Sequence, residues 1–96
     1  MGRYDMEEII ELVAQECGVT KDDILKGRDR EARKAAVYLT KKHTEVTNRE
    51  IGKWFGGVSY SAVSKVMERT EQEMEANRNM RRRINRMNKK LSQVKG

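Results

Sequence analysis

The chain contains no proline. No backbone donor is lost to a pyrrolidine ring, so nothing of that kind interrupts a helix. Cysteine occurs once, at Cys17, which excludes an internal disulfide and any multi-cysteine zinc site. Cys17 reads instead as a small apolar residue at a helix end, in keeping with the burial habit of a free thiol. Histidine also occurs once, at His43. Without a second histidine, a cysteine cluster or a nearby acid pair, it lacks the partners for a metal site or for general-base work. Aromatic residues number five, one Trp, one Phe and three Tyr, and they do not cluster. Single-stranded RNA is held by stacking bases on aromatic platforms, so that partner is poorly served. No apolar run approaches the roughly 20 residues that a membrane-spanning helix needs. Residues 1–17 carry Asp5, Glu7, Glu8, Glu11 and Glu16 and no continuous apolar stretch, so no secretory signal is expected and the expected location is cytoplasmic.

Acid is missing from one region altogether. Residues 78–96 hold eight Lys/Arg (Arg78, Arg81, Arg82, Arg83, Arg86, Lys89, Lys90 and Lys95) and no Asp or Glu. Residues 1–77 hold 13 bases against 15 acids. Within them, residues 1–25 carry seven acids and two bases, whereas residues 26–53 carry nine bases and four acids. The net charge of +6 is thus concentrated in the middle and the tail. Such asymmetry points to a polyanionic partner. The plainer reading of any charge run is a solvated helix surface.

With 96 residues the chain suffices for one small domain. A domain of this size buries only roughly 60% of its unfolded surface, which leaves little interior for a catalytic pocket. Met6, Ile9, Ile10, Val13 and Cys17 recur at helical spacing, predicting a helix over about 5–17 that Gly18 stops. Thr20, with Asp23 three residues on, caps a short helix whose inward side chains are Ile24 and Leu25 and which Gly27 ends. The acid pairs Glu7–Glu8 and Asp22–Asp23 both stand at helix starts, where capping and the helix dipole explain them without catalysis. Ala32, Ala35, Ala36, Leu39 and His43 mark one face of a longer helix over about 29–43, and the alanines allow a neighbouring helix to come close. Thr47-Asn48-Arg49-Glu50 is a capping box, followed by Ile51, Trp54 and Phe55. Trp54 is expected to pack with its two apolar neighbours. Downstream of Ser59, either two helices or one long bent helix would account for residues 59–93. The fold class expected is all-α, a small helical bundle, with a domain over 1–76 and a basic amphipathic helix over 77–96.

The informative segment runs from Thr47 to Arg69. A capped helix of about eight residues leads into Gly56-Gly57-Val58 and then into a second helix for which Ser59 offers the N-cap. This is the layout of a helix-turn-helix. The major groove of B-DNA admits one helix, and the second helix of the motif enters with its first residues nearest the bases. Those residues are Ser59, Tyr60 and Ser61, with Ser64 and Lys65 one turn later. Hydroxyls donate to or accept from base edges, and Tyr60 can pack on a thymine methyl. A structural helical hairpin with a glycine turn would share the pattern. The glycines Gly52, Gly56 and Gly57 lack the lysine spacing of a phosphate-binding loop, and no residue set suggests an enzyme, a metal or a cofactor.

The stretch Ile9 to Arg69, about two-thirds of the chain, resembles the C-terminal DNA-binding domain of the bacterial replication initiator DnaA. Glu50-Ile51-Gly52, Phe55-Gly56-Gly57 and Val63 fall in register with it. The resemblance implies a Trp-repressor-like bundle that binds double-stranded DNA. It places Ser59, Tyr60 and Ser61 against bases. It places Arg28 and Arg30 in a basic loop that reaches the minor groove, Arg33, Lys34 and Lys41 on the backbone or nearby bases, and Asn48 and Arg49 on phosphate. Helix N-termini favour such anions through their free amides and dipole. The chain departs from the family at two places. Initiators follow the double glycine with Arg-Asp-His-Thr-Thr, whereas this chain has Val58-Ser59-Tyr60-Ser61-Ala62, and its basic loop is about three residues shorter. Ser61-Ala62-Val63-Ser64-Lys65-Val66 and the basic terminal helix look more like the initiator-like domain found at the C-terminus of IS200-like, REP-associated transposases.

The tail allows several readings. Met80, Ile84, Met87, Leu91 and Val94 form one apolar seam on a basic helix. That helix can fold onto the domain, clamp DNA phosphates, form a homodimer seam through Ile84, Met87 and Leu91, or lie on an anionic membrane. The second function class is therefore a protein-interaction or dimerisation module built on this helix.

Overall fold

The computed structural model describes residues 4–94, with side chains to residue 92. Lys95 and the side chain of Val94 from the seam above lie outside the described residues. Six helices follow one another and no strand occurs among the described residues: α1 (Met6–Cys17), α2 (Lys21–Leu25), α3 (Arg30–His43), α4 (Asn48–Trp54), α5 (Tyr60–Ala76) and α6 (Arg78–Val94).

Local chemistry sets the helix starts. Asp5 caps α1, accepting from the Glu8 amide at 2.8 Å while Glu8 reaches back. Thr20 and Asp23 make the same reciprocal pair at α2, and Thr47 and Glu50 make it at α4. Each pair satisfies two amides that a helix start leaves without intrahelical partners. Asp29 caps α3 through the Ala32 amide, and Ser59 caps α5 through the Ala62 amide. The paired acids noted in the sequence are thus occupied at helix starts.

The boundary between α5 and α6 is made by Asn77, without glycine or proline. Its amide closes α5 on the Glu73 carbonyl, and its side-chain oxygen accepts from the Met80 amide at 3.1 Å. Arg81 then reaches back and donates to the Met74 carbonyl at 2.9 Å, covering an otherwise open acceptor at the end of α5. Residues 59–93 are therefore two helices rather than one bent one.

The core draws on every element. Ile9, Ile10 and Val13 of α1 meet Ala32, Ala35, Ala36 and Leu39 of α3, with Ile24, Ile51, Phe55 and Val63 closing the sides. The α6 seam completes it: Met80, Ile84, Met87 and Leu91 are all buried. Full burial of such a side chain stabilises by roughly 1.5–3 kcal/mol. The basic helix is therefore a structural wall of the domain. Polar ties fasten it: the Tyr4 hydroxyl donates to the Leu91 carbonyl at 2.8 Å, His43 Nε2 meets Asn88 Oδ1 at 2.6 Å, and Lys90 pairs with Glu16. Cys17 is half-buried beside the core, and burial pushes its thiol pKa up, which leaves less of the reactive thiolate.

The turn between α4 and α5 depends on Gly52. Its carbonyl accepts from both the Gly57 amide, at 2.9 Å, and the Val58 amide, at 3.0 Å. This wraps the turn so closely that a Cβ on Gly52 would lie 1.9 Å from the Val58 carbonyl oxygen. Gly56 and Gly57 have φ of 85° and 88°, which side chains rarely adopt. The three glycines together hold α5 at a fixed angle to α4.

Candidate nucleic-acid interface

The start of α5 is a free surface. Ser59, Tyr60, Ser61, Ser64 and Lys65 are all exposed, and Tyr60 is 61% exposed, an unusual level for a large ring. The opposite side of the helix turns Val63 and Thr70 into the core, with Val66 and Met67 partly buried. Helical spacing explains the division: residues 63, 67 and 70 share one face, and 61, 64, 65 and 68 lie away from it. Thr70 keeps its buried hydroxyl satisfied by donating to the Val66 carbonyl at 2.7 Å.

Two elements brace this surface. On the α4 side the Asn48 amide donates to the Ser64 hydroxyl at 3.1 Å, and the other amide atom, Oδ1, is buried without a partner among the described residues. Arg49 is exposed beside it at the start of α4. On the α3 side, Arg30, Arg33, Lys34, Val58, Ala62, Val66 and Arg69 line a groove. Four cations thus gather where the first turn of α3 meets the first turns of α5.

The individual cations differ in freedom. Arg30 is exposed. Arg33 lies half-buried with its guanidinium 5.0 Å from the centroid of the Phe55 ring, an arrangement that fixes its stem. Lys34 is held by Glu73 at 2.6 Å, so its charge is largely answered within the chain. Arg28 pairs with Asp23 at 3.3 Å outside the groove. The bond from the Thr20 amide, followed by those from Arg28 and the Thr20 hydroxyl, holds the Asp23 carboxyl below its ordinary pKa. Lys41 is exposed on the face of α3 that also carries Arg30 and Lys34, about three turns beyond Arg30.

The sequence reading passed over Arg69. It lies seven residues from Ala62 and three from Val66, so helical periodicity puts it on their face of α5, and the packing turns that face toward α3. The reading misplaced Trp54, which is 44% exposed instead of packed. The helix α4 is only seven residues long, and Ile51 and Phe55 already fill its inward side. The charge of α5 is also graded. Its first ten residues hold Lys65 and Arg69 against Glu68 alone, whereas Glu71, Glu73 and Glu75 occupy its end without a base. A polyanion is attracted to the first part and repelled by the last.

Residues 6–69 match the family described as bacterial dnaA protein helix-turn-helix. The chain belongs to this family. The family suggests DNA binding, and the matched segment ends at Arg69, the last basic residue of the groove. Comparison with curated proteins and with solved structures returned no match. The helix α6 lies wholly beyond the matched segment. Its seam through Ile84, Met87 and Leu91 is buried in the chain's own core, so a homodimer along it would require α6 to leave the bundle. Among the described residues, no helix is long and apolar enough to cross a membrane.

Proposed function

We propose that the chain is a sequence-selective reader of double-stranded DNA, and a binding module rather than an enzyme. The observation that carries the reading is the exposed, uncharged polar start of α5 beside the α3–α5 cation groove. In this reading α5 enters the major groove by its amino end. Ser59, Tyr60, Ser61, Ser64 and Lys65 face the base edges. Arg30, Arg33 and Arg69 hold phosphates on one flank, and Arg49 and the α4 N-terminus hold them on the other. Asn48 sets the Ser64 hydroxyl, and Lys34, tied to Glu73, positions α3 against α5. Arg28 and Lys41 are outlying phosphate contacts. The acidic end of α5 keeps the helix from lying flat along the groove, because its carboxylates would face the backbone.

The target expected on this reading differs from the initiator box. Val58-Ser59-Tyr60-Ser61-Ala62 replaces the initiator residues, so the docking is shared and the base contacts are new. The reading favours a bacterial, cytoplasmic module of the transposase-associated type over a replication initiator. Selecting bound duplexes from a random pool tests it. A reproducible consensus that relaxes at one or two positions on Tyr60→Ala is the expected result, with roughly 1–3 kcal/mol of discrimination lost there. A repeat-hairpin consensus supports the transposase placement and an initiator box the replication one. Recovery of no consensus, or an unchanged one with Tyr60→Ala, overturns the reading.

A further inference from the structure

The groove does not account for the chain's positive charge. Directly opposite the buried seam of α6 runs a second stripe: Arg78, Arg82, Asn85, Arg86 and Lys89, all exposed. Among the described residues Arg78, Arg82, Arg86 and Lys89 make no ion pair or hydrogen bond. Arg78, Arg82 and Arg86 are spaced i, i+4, i+8, a spacing at which like charges meet on a helix surface and destabilise it. The helix carries no acid to relieve that repulsion. Three of its other cations are engaged at home, Arg81 on the α5 carbonyls, Arg83 on Glu31 at 2.7 Å and Lys90 on Glu16. The outward cations are the ones left over.

Position links this stripe to the groove. Asn79, Arg82, Arg83 and Arg86 line one concavity, and Arg83 reaches from it to Glu31 in the first turn of α3. The neighbouring residue, Arg30, lines the α3–α5 groove. The two basic surfaces thus approach each other at the first turn of α3, with the Arg83–Glu31 pair between them.

We propose that the outward face of α6 is a second phosphate clamp, in which Arg82 and Arg86, with Arg78 and Lys89, grip the backbone of the same duplex that α5 reads. The clamp rests on the reading above for its ligand but uses none of its residues. It adds affinity and salt dependence without adding base preference, because phosphates carry no sequence.

The test uses the full chain with Arg82→Gln and Arg86→Gln together. Glutamine keeps helix propensity and removes only charge, and circular dichroism checks that the fold persists. Affinity for a duplex of about two turns is measured across a salt series. Losing two phosphate contacts makes the log–log slope shallower by about 1.8. The consensus selected from a random pool stays as in the parent, and the Arg82→Lys/Arg86→Lys pair restores the slope. An unchanged slope in the double Gln variant overturns the clamp. If Tyr60→Ala still relaxes the consensus in that case, the major-groove reading stands alone. If the Gln pair lowers the slope while Tyr60→Ala changes nothing, the clamp stands and the reading of α5 fails. A parent that binds no duplex overturns both. Loss of binding to phosphatidylserine–phosphatidylcholine vesicles by the Gln pair, with duplex binding intact, assigns the face to a lipid surface instead.

Discussion

The helices α5 and α6 have the same length, 17 residues, and opposite uses of it. The helix α5 buries Val63 and Thr70 fully and leaves its first turns in solvent with Tyr60 standing out. By contrast, α6 sinks Met80, Ile84, Met87 and Leu91 into the core and turns charge, amide and the Ser92 hydroxyl outward. One helix is held by its neighbours so that its own surface stays free. The other does the holding. A composition count would have assigned them the reverse roles, because α6 is the more basic and polar of the two. What matters is the angular sorting of residues: a helix that is mostly charge still anchors a core if its few apolar residues fall on one line.

Substitutions sharpen this contrast. The largest effect is expected from Ile84→Ala. Removing a fully buried branched side chain should cost about 2–5 kcal/mol, read as a lower midpoint in urea unfolding. Next comes Gly52→Ala, which drives a Cβ onto the Val58 carbonyl. Overpacking of this kind costs about 1–3 kcal/mol, and here the resisting atom is backbone. Duplex binding should weaken beyond the stability loss, since the turn that aims α5 is what shifts. Thr47→Ala removes one half of the α4 capping box and should cost about 0.5–2 kcal/mol by the same unfolding measurement. Tyr60→Ala sits at the other extreme: an exposed position, within about 0.5 kcal/mol of the parent in stability, yet the one expected to change base preference most. A large stability loss at Tyr60, or none at Ile84, would dissolve the distinction between the two helices.

The smallest effect concerns pH at α2. Asp23 has a lowered pKa in the folded chain, from its bonds at Thr20 and its pairing with Arg28. The stability it contributes is present above the ordinary aspartate pKa and is lost as pH falls through the lowered folded value. Amide protection at Ile24, taken relative to the intrinsic exchange rate at each pH, should therefore fall below the ordinary aspartate pKa before the core amides at Ile9 and Ile84 respond.

Much of this molecule was legible in the sequence because its local signals agree. Every helix start from α1 to α5 carries a side chain that accepts from the amide three residues on, and three of the five are reciprocal boxes. The alanine face of α3 and the seam of α6 followed from spacing alone. The break at Asn77 did not, because asparagine caps as readily as it interrupts and nothing near it is glycine or proline. Trp54 was misjudged because a short helix offers less inward surface than its apolar residues could fill. At the interface, exposure of the α5 start followed from polarity, and the gathering of Arg30, Arg33 and Arg69 needed the α3–α5 crossing, which no local pattern encodes. Nor could sequence reveal that Lys34 is claimed by Glu73, since 39 residues separate them.

The central claim is that α5 meets DNA by its amino end. A nuclear magnetic resonance titration of the chain with a selected duplex addresses this most directly. The account predicts that the largest amide shifts fall at residues 59–65 and in the first turn of α3, with Glu71, Glu73 and Glu75 left near their free positions. Shifts concentrated at the acidic end of α5, with Ser59, Tyr60 and Ser61 unmoved, would contradict it.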